Sequence, residues 1–237
     1  MGEALSIAVF GAGGTTGTLL LEQAIRGGHH VRGPEHHLPD DDDRIAGVEY
    51  VRCDVLEDDL DDLVSGCDAV VSTLGVAFSP STAIDPPPLY AEGTRRIVEA
   101  MGRVGIDRLA VISAAFVEHQ PAAPAWFSLT AVPALNRILD QMRAMEGMLE
   151  AQDWLRWTAV RPGWLLDLPY SAEVRVRADR LPEECFRCRQ ADLAAFLLEV
   201  VVEDNWVGAR PAIGKPETDD IEGLAALRDE IERMFAG

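Results

Sequence analysis

A chain of 237 residues with 48% hydrophobic content has room for one medium α/β domain and enough apolar material to fill its core. Its formal net charge of −19 repels phosphate backbones and anionic lipid, which argues against nucleic-acid and membrane partners. No apolar run reaches the roughly 18–20 residues that span a bilayer, and the opening MGEALSIAVF lacks the basic region of a signal peptide, so a cytoplasmic protein is expected.

In chain order, an apolar run predicts a strand at 5–10, and helical spacing predicts a helix at 15–26 closed by Gly27 and Gly28. A second strand starts at His30 and Val31, and Gly33-Pro34 is expected to stop it early. The acidic run from Asp40 to Asp43 reads as a solvated loop, because consecutive acids lack the spaced ligands of a calcium loop. Strands follow at 48–53, 68–74, 108–116 and 156–161, separated by helices at 57–64, 89–104 and 133–152. Beyond Pro162 the order loosens. An irregular stretch at 165–181 holds a short strand at 174–177, and the segment CFRCR reads as a strand feeding a helix at 191–202. A strand near 209–213 and a helix at 221–235 complete the chain.

Apolar strands that alternate with helices specify a doubly wound, mostly parallel sheet of the Rossmann-like α/β class. Right-handed crossovers place the carboxyl ends of its strands on one side, where ligands bind. No linker or repeat divides the sequence, so one domain over 1–237 is expected, with 164–237 contributing the substrate side and the C-terminal helices. No metal site is expected. Cys185 and Cys188 form a CxxC, but Cys53 and Cys67 give no second pair, and the His29-His30 and His36-His37 pairs lack partners at ligand spacing.

The chemistry-bearing motif is VFGAGGTTG, where Gly11, Gly14 and Gly17 recur three apart between the first strand and the first helix. Gly11 suits the tight turn, Gly14 lets backbone approach a pyrophosphate, and Gly17 lets helix and strand pack closely, with Gly13, Thr15 and Thr16 completing the loop. The pyrophosphate would rest on the free N–H groups and positive end of that helix.

With this loop, the segments GVEYVRCDVLE, DAVVSTLG, RLAVISAAF, MEGMLEAQDWLRWTAVRPG and RQADLAAFLLEVV resemble the atypical short-chain dehydrogenase/reductase proteins, the NAD(P)H-binding group that includes NmrA-like and flavin reductase/biliverdin reductase B-type members. The resemblance spans nearly the whole chain. It implies that Asp54 lies beside the adenine, that Thr73, Leu74 and Gly75 line the cofactor, and that Ser113 and Arg161, Pro162 and Gly163 flank the nicotinamide. The departures are informative. Relatives carry an arginine in the loop where this chain has Thr15, and a second basic residue where it has His36, preceded by Glu35. Both clamps for a 2′-phosphate are absent and Glu35 suits a free ribose 2′-hydroxyl, which favours NAD(H) slightly over NADP(H); a degenerate cofactor site is the alternative.

Conventional relatives use a tyrosine followed four residues later by lysine to move a proton. Here Tyr50, Tyr90 and Tyr170 are followed at that spacing by Asp54, Thr94 and Val174, so alcohol–ketone redox by that pair is excluded. The flavin reductase type needs only to hold a conjugated acceptor beside the nicotinamide while water supplies the proton. The serine and histidine that such relatives place near the acceptor align with Ala114 and Trp164, leaving Ser113 as a hydrogen-bond donor or a strand-end serine and His119 as the acid/base candidate. Asp140, Glu146 and Asp167 lie on or near this side, Glu146 as a solvated or capping charge. Loops after the fourth, fifth and sixth strands contribute Phe78, Tyr90, Phe116, Trp126, Phe127, Trp164 and Tyr170, which suit a flat apolar or aromatic small molecule, although some must simply cover the sheet end. The expectation is an NAD(P)-dependent reductase of a conjugated substrate. The alternatives are a non-redox isomerase or cyclase on the same fold, and a non-catalytic dinucleotide sensor.

Overall fold

The computed structural model describes residues 3–76, 79, 82, 84–218 and 221, the side chain of Trp126 excepted. Its first strand, β1 (Ser6–Phe10), shows how the sheet is buried on both faces. Ile7 and Val9 join the core on one side while Ala8 and Phe10 join the core on the other, as the two-residue period of a strand requires. The strands that follow are β2 (His30–Glu35), β3 (Val48–Arg52), β4 (Ala69–Ser72), β5 (Arg108–Ile112), β6 (Arg156–Pro162), β7 (Trp164–Leu166), β8 (Arg175–Ala178), β9 (Arg187–Arg189) and β10 (Pro211–Gly214). The main sheet runs β3-β2-β1-β4-β5-β6-β10-β8, every pair parallel except β10 with β8, and β7 and β9 form a small parallel pair. Strand order reverses between β1 and β4, the switch point at which such sheets bind ligands.

The helices are α1 (Thr15–Arg26), α2 (Asp61–Val64), α3 (Thr94–Val104), α4 (Ala125–Ala134), α5 (Asn136–Glu150) and α6 (Gln190–Val202). Leu20, Leu21 and Ala24 of α1 meet Leu193, Leu197 and Val200 of α6 over one face of the sheet. Ile97 and Met101 of α3 with Leu139, Met145 and Leu149 of α5 cover the other. Each such leucine or isoleucine buried contributes roughly 1.5–3 kcal/mol, so the two cores rather than helix propensity hold the layers together.

Four expectations are corrected by local chemistry. Gly33-Pro34 does not stop β2, which pairs with β3 as far as Glu35 opposite Arg52. The His30 amide faces β1, so by alternation the missing N–H of Pro34 also faces β1, beyond the last registered pair, Ala8 with Arg32. β2 instead continues through its pairing with β3, and a side chain at Gly33 would press on Ala12 at 3.1 Å. The helix expected at 57–64 shrinks to α2, because the Asp54 and Asp58 carboxylates accept from the Leu56 and Asp54 amides and fold the preceding residues into turns. The helix expected at 133–152 is α5 alone, and α4, which has no polar face to announce it, precedes it with Pro133 in its last turn. The strand expected at 108–116 ends at Ile112 and continues as a 3-10 turn at Ala115–Val117. Of the helix expected at 221–235, only Ile221 lies within the described residues.

Cys53, Cys67, Cys185 and Cys188 are free thiols, and all but Cys67 are buried. Among the described residues no cluster of histidine, cysteine and carboxylate could hold a metal, and no helix is long and apolar enough to cross a membrane.

Candidate functional site

The turn after β1 is built by its glycines in different ways. Gly11 adopts φ +82°, and a Cβ there would meet the Thr73 backbone at 2.8 Å. A Cβ at Gly17 would overlap the Gly11 carbonyl oxygen, so the close seat of α1 on the loop requires glycine. Gly14 is different: its φ is −74°, and a Cβ would meet only the Gly11 oxygen at 3.5 Å. The fold does not demand glycine there, yet Gly14 lies on the wall of a cleft. It is also the N-cap of α1, which has no side-chain cap and no acidic residue in its first turn. The free N–H groups of that turn are the anion site that a helix start offers.

The cleft, of about 770 Å³, runs over the carboxyl ends of the strands. It gathers Gly11, Gly14, Thr15, Thr16, Glu35, His36, Asp54, Thr73, Leu74 and Gly75, ten of the residues the sequence singles out for the cofactor. Thr73 is spent on structure, its hydroxyl lying 3.0 and 2.9 Å from the carbonyl oxygens of Phe10 and Gly11. Glu35 accepts from the Gly13 amide at 2.7 Å and from the His36 amide at 2.9 Å, which fixes a carboxylate at the end of β2 beside the glycine turn. His36 Nε2 stands 3.5 Å from an Asp54 carboxylate oxygen. The groups at this end are therefore two acids and an imidazole.

Beside the cleft lies a chamber of about 390 Å³ under β5, β6 and α5. Val76, Tyr90, Ile112, Leu165 and Gln190 line both spaces, so the two adjoin. The chamber wall holds Phe116, Leu135, Ile138, Leu139, Met142 and Trp164, with Ser113, Pro162 and Gly163 at the strand ends. The α5 part of this wall was not singled out from the sequence. Its apolar residues fall at helical spacing, which reads the same whether the stripe faces core or ligand.

Arg161 is a correction. Expected beside the nicotinamide, it is instead turned inward and buried, with Nε and Nη2 on the two Glu146 oxygens at 2.9 and 2.6 Å and Nη1 3.1 Å from Glu118. Burial works against its charge, but the Glu146 and Glu118 carboxylates more than offset this and hold its pKa above the ordinary value. Glu146, expected to be solvated, is only 4% exposed. It also accepts from the Ser113 hydroxyl at 2.6 Å, so the proton of that serine is committed and its oxygen can only accept from a ligand.

The aromatic set divides. Phe116, Tyr90 and Trp164 reach the chamber, whereas Phe127 is buried behind it, its ring 4.9 Å from that of Trp164 and 4.7 Å from that of Phe116. Tyr170 is 58% exposed and lines neither space. His119, the expected acid/base candidate, is likewise exposed and lines neither space. Phe78 and the Trp126 side chain lie outside the described residues.

A doubly wound parallel sheet whose switch point carries a glycine turn and an uncapped helix start defines a dinucleotide-binding protein. Residues 11–204 match the profile of a family described as NAD(P)H-binding. The chain belongs to that family, and a nicotinamide dinucleotide is the cofactor it implies, in keeping with the resemblance to atypical short-chain dehydrogenase/reductases. Similar solved structures include the oxidoreductase ylbE from Lactococcus lactis, 17% identical over 96% of this chain and 97% of that one with a TM-score of 0.73. A candidate NADH-flavin reductase from Streptococcus pneumoniae is 18% identical over 90% and 100% of the two chains, with a TM-score of 0.69. A candidate NAD-dependent epimerase/dehydratase from Bacillus halodurans is 21% identical over 91% and 96%, with a TM-score of 0.74. At these identities the likeness is one of fold.

Proposed function

We propose that the protein is an NADH-dependent reductase of a flat, apolar, conjugated small molecule. The observation that carries this reading is that the glycine-loop cleft adjoins an apolar chamber at the ends of β5 and β6 and shares five wall residues with it. Dinucleotide in the cleft would have its pyrophosphate on the N-terminus of α1 and its adenosine ribose near Glu35. Its nicotinamide would then lie at the mouth of the chamber, where it supplies the hydride. The protein's own part is to orient: Trp164, Phe116 and Met142 would hold the acceptor's plane and exclude water from around it. Among the described residues Tyr90 is the only ionisable side chain on the chamber wall, which suits an acceptor whose final proton comes from solvent.

Cofactor choice is the first test. NADH should bind at least as tightly as NADPH in calorimetric titrations. Introducing arginine at Thr15 and at His36, both on the cleft wall, should move preference toward NADPH, each well-aligned contact contributing about 1.5–3 kcal/mol. A native protein that prefers NADPH tenfold would overturn the assignment of Glu35 to the ribose.

The chamber has its own test. Trp164→Ala should weaken binding of a flat probe such as menadione by about 1–3 kcal/mol, with dinucleotide affinity and cooperative unfolding nearly unchanged. Equal menadione affinity in the variant and the native protein would remove Trp164 from the ligand wall.

A further inference from the structure

We propose that the Tyr90 hydroxyl is the hydrogen-bond donor that fixes a carbonyl-type oxygen of the ligand at the junction of cleft and chamber. The inference rests on the chamber being the ligand site. Tyr90 belongs to a π-helical turn, Leu89–Gly93, that leads into α3, and such turns displace a side chain from the regular helical position. Tyr90 is 8% exposed and belongs to the core, yet it lines both spaces, and its hydroxyl oxygen lies 3.4 Å from the amide of Val76, which also lines both.

The hydrogen-bond partners of that hydroxyl leave one role open. It accepts from the Val76 amide at 3.4 Å, which orients the oxygen, and it donates to no group among the described residues. Its proton is therefore available to a ligand. Burial raises the pKa of the phenol above its ordinary value, so it stays protonated at neutral pH and acts as a donor rather than as a base. The Ser113 hydroxyl on the same chamber wall is already committed to Glu146 and cannot fill this role. Gln190 also reaches both spaces, but it is half exposed, and water can satisfy its amide. A buried, oriented donor in an apolar wall discriminates strongly between a ligand that carries an acceptor there and one that does not.

The test compares two probes of nearly the same shape, menadione, which has two carbonyl oxygens, and 2-methylnaphthalene, which has none. Both are titrated calorimetrically into protein loaded with NAD+, where no hydride is available, so the readout is binding alone. The native protein should prefer menadione, and Tyr90→Phe should reduce that preference roughly tenfold while leaving 2-methylnaphthalene affinity and dinucleotide affinity unchanged. A merely structural role would lower both probes together. Gln190→Leu should leave the preference intact. Equal affinity of the native protein for the two probes, a preference that survives Tyr90→Phe, equal losses of both probes, or a preference lost only in Gln190→Leu overturns the proposal. Failure of the native protein to bind either probe would instead overturn the chamber as the ligand site, and the proposal with it.

Discussion

Gly14→Asp is expected to lower dinucleotide affinity at least a hundredfold, about 3 kcal/mol, without loss of stability. Backbone geometry permits the substitution, since φ at Gly14 is −74° and a Cβ there meets only the Gly11 oxygen at 3.5 Å. Position 14 is the N-cap of α1, where aspartate is among the preferred residues, so the helix should gain a few tenths of a kcal/mol over glycine. The N–H groups that the new carboxylate satisfies are those a pyrophosphate would need, and its charge repels the phosphates. Binding and stability are thus expected to move in opposite directions. Calorimetric titration with NADH and thermal unfolding of the same variant check both halves. Unchanged affinity would remove the loop from the cofactor site.

Glu146→Leu is expected to cost about 3–5 kcal/mol of folding stability in urea denaturation, the range for removing one partner of a buried ion pair. The substitution strips Arg161 of its paired contact, takes the acceptor from Ser113 and removes a carboxylate oxygen 3.3 Å from Arg210. Glu118 remains beside Arg161 but is half exposed, which weakens it as a replacement. The double variant Glu146→Leu with Arg161→Met should be markedly more stable than Glu146→Leu alone, because it leaves no charge buried without its main partner. A cost below about 1 kcal/mol for the single change would show that the network contributes little to the fold.

How far the sequence foretold this molecule depends on the type of signal. The strands β1, β3, β4 and β6 and the helices α1 and α6 were legible within a residue or two at most ends, because burial on both faces of a parallel sheet leaves continuous apolar runs. The glycine loop was legible as well, since its turn and close packing need glycine at fixed spacing. Contacts that depend on tertiary register were not. Pro34 stays within β2 because its missing N–H faces β1 beyond the last registered pair while pairing with β3 continues, and the spacing of residues 30–35 carries no sign of that. Glu146 falls in a helical run with the polarity of a surface charge, and only the approach of β6 reveals Arg161 as its partner. His119 was attractive as the lone histidine of its region, but a loop residue's direction follows from the turn beneath it rather than from its position in the chain. The α5 wall of the chamber belonged to the same class, an apolar stripe whose outlook is set by what packs opposite.

The cysteines described with the fold bear on how the protein can be handled. Burial, with the Asp58 and Asp54 carboxylates nearby, pushes the Cys53 thiol up to about 11, and burial also raises Cys67 and Cys188. At neutral pH little thiolate exists at any of these sulfurs, so electrophiles should find them slow to react until the chain opens. Cys53 also sits on the wall of the dinucleotide cleft. The rate at which an alkylating reagent consumes that sulfur therefore becomes a clock for local breathing of the cleft, one that bound dinucleotide would slow and that needs no engineered label.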